Sequence, residues 1–124
     1  MAHILVVDDE PMIRFLVRSI FESVGHNVYE AQDGLVALGM LELYPPLFDI
    51  IVLDLQMPLM DGVTFLSTLP IEMAYPPIIV LTAHGGVVQK TLGYQVSGWL
   101  TKPFRKRDLL DMVNSRLNRG QLLS

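Results

Sequence analysis

Three short, unbroken apolar runs constrain the fold of this chain more than any other feature: Ile4-Leu5-Val6-Val7, Ile50-Ile51-Val52-Leu53 and Ile78-Ile79-Val80-Leu81. They are rich in β-branched residues and read as strands with both faces buried, the pattern of a parallel sheet. Parallel neighbours cannot be joined by tight turns and need crossovers, usually helical. The intervening stretches have that character. Pro11 opens a helix that Asp9 can cap, with Ile13, Leu16, Val17, Ile20, Phe21 and Val24 on one face, Arg14, Arg18 and Glu22 on another, and Gly25 as its stop. Residues 33–43 form a second helix, opened by Asp33-Gly34 and closed by Tyr44-Pro45-Pro46. A third is expected at 61–69, capped by Asp61, and a shorter fourth at 88–95. The last is expected at 105–118, with Leu109, Leu110, Met112, Val113 and Leu117 on its buried side. Strands are expected at 4–7, 28–31, 49–54, 77–82 and 99–101.

Five strands alternating with five helices make an α/β domain: right-handed crossovers, a doubly wound parallel sheet and helices on both faces. The 124 residues suffice for one such domain with its own core, so the chain reads as a single unit over 1–124. With no cysteine, there is no disulfide framework, thiolate metal site or thiol nucleophile. No apolar run approaches the ~18 residues of a membrane span, and the N-terminus lacks the basic start of a signal peptide. A cytoplasmic protein is expected. A net charge of -4 argues against direct nucleic-acid binding. The hydrophobic fraction of 51% is high. It leaves two readings open, an apolar core or an exposed partner or dimer surface.

In an open parallel sheet, sites lie beyond the carboxyl ends of the strands. There the first strand ends in Asp8-Asp9, the third in Asp54, the fourth in Thr82, and the fifth is followed by Lys102. Singly, Asp9 could cap a helix, Thr82 start a turn, and Lys102 sit in solvent. Asp54 is harder to explain away, because a carboxylate after Ile-Ile-Val-Leu is costly unless paired or cation-bound. Together the set suits phosphoryl transfer. Clustered carboxylates call for a divalent cation, and hard oxygen donors suit Mg2+, with Mn2+ as the alternative. Lys102 adds positive charge, Thr82 a hydroxyl donor, and a carboxylate can be the nucleophile, forming an acyl phosphate.

Four motifs carry a resemblance over essentially the whole chain: Val7-Asp8-Asp9-Glu10, Asp54-Leu55-Gln56-Met57-Pro58-Leu59-Met60-Asp61-Gly62, Leu81-Thr82-Ala83 and Lys102-Pro103-Phe104. The chain resembles the receiver domains of two-component response regulators, of the stand-alone chemotaxis-regulator type. The resemblance implies a flavodoxin-like sheet of strand order 2-1-3-4-5. It implies phosphorylation of Asp54 by a phosphohistidine on a histidine kinase or histidine phosphotransfer protein. Asp9, Asp54 and the backbone carbonyl of Gln56 would bind the metal directly, and Asp8 largely through water. Thr82 and Lys102 would contact phosphoryl oxygens, with Lys102-Pro103 cis. Such domains catalyse their own phosphorylation and dephosphorylation without being conventional enzymes.

The same resemblance implies a switch in which Thr82 and Trp99 follow phosphorylation and alter a face made of the fourth helix, the fifth strand and the last helix. That face would bind a downstream protein or a second copy. Trp99 stands where the family more often has Tyr or Phe, so a packing role is the other reading. The Thr82–Lys102 interval is about two residues shorter than expected, and Gln95 replaces a helix-ending glycine. Gln56 and His84 occupy positions that tune dephosphorylation in similar domains. Met12 and Phe15, beside Asp8-Asp9 and off the core stripe, with Pro103 and Phe104, form a candidate docking surface for the phosphodonor. Scattered surface apolarity is the plain alternative.

Other families fit less well. A haloacid-dehalogenase-type phosphatase would need a carboxylate at Gln56, and a flavodoxin-type carrier a phosphate loop where this chain has Asp-Asp-Glu-Pro. A receiver-fold interaction module that is never phosphorylated is a further alternative. The chain stops soon after the last helix, so no separate output domain is expected. A receiver excised from a longer regulator or hybrid kinase would read the same way.

Overall fold

The computed structural model describes residues 2–43, 47–54, 76–83 and 96–123. Its elements run in the order β1 (His3–Val7), α1 (Pro11–Ser23), β2 (Asn27–Ala31), α2 (Gly34–Leu43), β3 (Ile50–Asp54), β4 (Ile78–Thr82), β5 (Gly98–Thr101) and α3 (Lys106–Leu123). The third and fourth expected helices lie outside the described residues, as do Gln56, His84 and Gln95. The five strands form one parallel sheet in the order β2-β1-β3-β4-β5, as expected.

Successive strand residues face opposite sides of a sheet, and both sides are covered here. Leu5, Val7, Ile51, Leu53, Ile78 and Val80 pack with Phe48 and with Ala37 and Leu41 of α2. Ile4, Val6, Ile50, Val52, Ile79 and Leu81 pack with Val17, Ile20 and Phe21 of α1 and with Leu109 and Val113 of α3. β3 and β4 are buried at every position, which is why their sequences alternate so little.

Helix ends show where sequence reading succeeds and where it slips. Gly25 stops α1 as expected, with φ 93, a left-handed conformation that glycine adopts without strain. The Gly25 and His26 N–H groups donate back to Glu22 and Phe21, closing a Schellman motif. Asp33 caps α2, its Oδ1 accepting the Val36 N–H at 2.9 Å. Asp9, however, does not cap α1. With Pro11 as the first helical residue, the cap position falls to Glu10, which makes no side-chain capping bond. The buried face of α1 is also narrower than expected. Val17, Ile20 and Phe21 are buried, but Leu16 is 48% exposed at the stripe's edge and Val24, beyond the last helical residue, is 50% exposed. α3 outlasts its expected end at 118, where the apolar stripe stops, and continues to Leu123.

Candidate functional site

The parallel register delivers the polar strand ends to one edge. Val7 of β1 lies beside Leu53 of β3, Asp54 beside Leu81 of β4, and Thr82 beside Thr101 of β5. Each strand therefore turns polar within one residue of its neighbour. The Lys102 N–H donates to the Thr82 carbonyl at 2.7 Å, extending the β4–β5 ladder past the last strand residue. Lys102-Pro103 is cis, as the resemblance implied. Lys102 Nζ lies 3.2 Å from Asp54 Oδ1, and the Asp54 side chain is only 4% exposed. Thr82 is buried at the end of β4.

Asp8 is held on almost every side. Its N–H donates to the Ala31 carbonyl at 3.1 Å. Its carbonyl accepts from Arg14 at 2.8 Å, and its Oδ1 accepts the Glu10 N–H at 2.9 Å. Its Oδ2 is buried and has no hydrogen-bond partner among the described residues. Burial lifts the Asp8 carboxyl from an ordinary 3.8 to about 6. The Glu10 N–H opposes the rise, the Asp54 charge adds to it, and Lys102 moderates it. Asp8, Asp9 and Glu10 each offer a carboxylate oxygen, all within 4.8 Å of one another. A buried orphan oxygen in an all-carboxylate trio is a poor arrangement without a cation and a good one for a hard divalent ion. Asp54 is not in that trio but is coupled to it through its charge on Asp8.

The remaining expected residues separate. Met12 and Phe15 are 79% and 68% exposed on α1. Pro103 is exposed, whereas Phe104 is half-buried against the α1/α3 side of the core, so packing claims much of its surface. Trp99 is half-buried against the opposite core layer. Glu10 as a third acidic donor went unread, although it follows Asp8-Asp9 directly. Arg14 also went unread, because helical periodicity marks it only as solvent-facing.

With this geometry in place, similarity to known proteins becomes interpretable. The model of the family described as response regulator receiver domain matches residues 4–114. The chain belongs to that family. It is 36% identical over 121 residues to the alkaline phosphatase synthesis transcriptional regulatory protein PhoP of Bacillus subtilis (strain 168), covering 96% of this chain and 50% of PhoP. It is 34% identical over 122 residues to the transcriptional regulatory protein CpxR of Escherichia coli (strain K12), covering 97% of this chain and 51% of CpxR. The chain thus spans about half the length of these curated relatives. The crystal structure of a response regulator receiver domain protein from Clostridium thermocellum superposes with a TM-score of 0.90 at 27% identity, covering all of both chains. Receiver domains are signalling domains of two-component systems rather than conventional enzymes, and they bind Mg2+ in an acidic pocket. At the end of β1, Asp8, Asp9 and Glu10 form an acidic cluster. Among the described residues no helix is long and apolar enough to cross a membrane.

Proposed function

We propose that this receiver accepts a phosphoryl group on Asp54 from a phosphohistidine of a histidine kinase or histidine phosphotransfer protein. The observation that carries the reading is the buried Asp54 carboxylate with Lys102 Nζ 3.2 Å away, at the sheet edge that also holds Asp8 and Thr82. An Asp54 oxygen attacks phosphorus, an O–P bond forms as the donor's N–P bond breaks, and the departing imidazole takes a proton. Lys102 and Thr82 meet the phosphoryl oxygens and stabilise their charge. By the family resemblance, Asp9, Asp54 and the carbonyl of Gln56 would hold Mg2+, with Asp8 acting largely through water. When bound, the ion would supply positive charge against the incoming phosphoryl group.

Phosphorylation then acts through Thr82 and Trp99 on a surface that binds a downstream protein or a second copy. Met12, Phe15 and Pro103 serve the donor. The acidic receiver segment itself does not contact nucleic acid, and it works in the cytoplasm. Intact mass after incubation with Mg2+ and acetyl phosphate tests the central claim. Wild type should gain a phosphoryl adduct and Asp54→Asn should not. An equal adduct in both would place the phosphoryl group on another residue, and none in wild type would favour an interaction module that is never phosphorylated; either result would sink the claim.

A further inference from the structure

Two arginines of α1 converge on one glutamate of β2, yet only one of them touches the acidic edge. Arg14 Nε lies 3.2 Å from Glu30 Oε1, and Arg18 NH1 lies 2.6 Å from Glu30 Oε2. Arg18 also pairs with Glu22, within its own helix. Arg14 instead donates from NH1 to the backbone carbonyl of Asp8 at 2.8 Å. We infer that Arg14 is a positioning residue for the metal site, anchoring the Asp8–Asp9 peptide to β2 through Glu30. This inference deepens the proposed function and rests on it for the role of Asp9.

The Asp8 carbonyl and the Asp9 N–H belong to a single rigid unit. β2 fixes its approach on one side, since the Asp8 N–H donates to Ala31. On the other side the carbonyl is tied to β2 only indirectly, by way of Arg14 and Glu30. Glu30 pairs in register with Val6 and Ala31 with Val7, so both ties come from adjacent β2 residues. Releasing the carbonyl frees this plane to rotate, and rotation swings the starting direction of the Asp9 side chain. The planar fork of a guanidinium can serve a carboxylate and a carbonyl together, which a lysine ammonium does less well. Arg14, Glu30, Gln32 and Val36 line an open cavity of about 340 Å³, so shortening or neutralising Arg14 leaves no sealed void.

The test measures Mg2+ affinity of the full chain by calorimetry, alongside the Mg2+ dependence of phosphorylation by acetyl phosphate. Removing partners that orient metal ligands commonly weakens binding roughly 10- to 100-fold. Arg14→Met should fall near the lower end of that range, and Arg14→Lys between it and wild type. The rate at saturating Mg2+ should stay near that of wild type, because the defect lies in holding the ion. Arg18→Met is the control. It disturbs the same glutamate without touching Asp8, so its Mg2+ affinity should remain within roughly twofold of wild type. Unchanged affinity in Arg14→Met, or equal weakening in both arginine variants, overturns the inference. If Arg14→Met does not fold, Glu30→Gln decides, and it should weaken Mg2+ severalfold. A wild type that takes no adduct while Arg14→Met still loses Mg2+ affinity sinks the phosphoacceptor reading alone. A normal adduct with unaltered affinity sinks the positioning role alone.

Discussion

The two ends of this sheet are built from the same five strands and satisfy their polar groups in opposite ways. At the amino end, the described polar groups find partners within the protein itself. The His3 N–H donates to Asp49 Oδ2 at 2.8 Å, and the Asp49 N–H returns a bond to the His3 carbonyl. The Ala2 N–H donates to His26 Nδ1, and His3 Nδ1 meets the Tyr29 hydroxyl. At the carboxyl end, Asp8, Asp9 and Glu10 crowd together, and Asp8 Oδ2 is left buried without a partner among the described residues. A fold optimised for stability alone would treat both ends like the first. The difference points to the carboxyl end as the proposed site, where a bound cation would complete the electrostatics.

The sharpest way to break this contrast is Asp54→Asn, which should abolish the adduct while leaving the amino end untouched. The next is Asp8→Asn. The folded Asp8 value, about 6, lies above the ordinary 3.8, so the folded state holds the proton more tightly than the unfolded chain. Its stabilising contribution is complete below the unfolded value and is lost as pH rises to about 6. That rise corresponds to roughly 3 kcal/mol of destabilisation at neutral pH, since each pKa unit is worth about 1.4 kcal/mol. In EDTA, Asp8→Asn should therefore be more stable than wild type at pH 7.5 by up to that amount, read from urea midpoints. The gap should close by about pH 4. Adding Mg2+ should stabilise wild type more than the variant, by mass action. A variant less stable than wild type at pH 7.5 would mean that the acidic end carries no such cost.

Much of the contrast was legible in the sequence, for physical reasons that differ by residue. Ile50–Asp54 and Ile78–Thr82 announce buried central strands, because residues there must be apolar on both faces. The sheet rule then puts Asp8, Asp54, Thr82 and Lys102 at one edge without any coordinates. The cap of α1 was misplaced by one residue, because Asp9 suits the position chemically while Pro11 fixes it geometrically. Arg14 was unreadable. Its role depends on a carbonyl, and no side-chain pattern encodes which backbone oxygen lies within reach. The pairings at the amino end were hidden for a similar reason: His3 and Asp49 meet through sheet order, across 46 residues.

The smallest effect belongs to that amino end, and it has the opposite sign. His26 Nδ1 accepts the Ala2 N–H at 3.2 Å, so the ring must be unprotonated at that nitrogen. Burial lowers its pKa, the chain's amino terminus lowers it further, and Asp49 acts against both. The unfolded chain therefore binds the proton more strongly. The stability His26 contributes is present above about pH 6.5 and is lost as pH falls below that value. His26→Leu should cost about 1 kcal/mol at pH 7.5, the usual worth of one hydrogen bond. It should also remove part of the decline below pH 6.5. Acid thus strains His26 at one end of the sheet as pH falls below about 6.5, and relieves Asp8 at the other as pH falls from about 6 toward 4. In Asp8→Asn, where the first response is gone, the His26 decline should stand out more clearly than in wild type. If the two variants moved the pH profile in the same direction, the ends would not be the electrostatic opposites their hydrogen bonds describe.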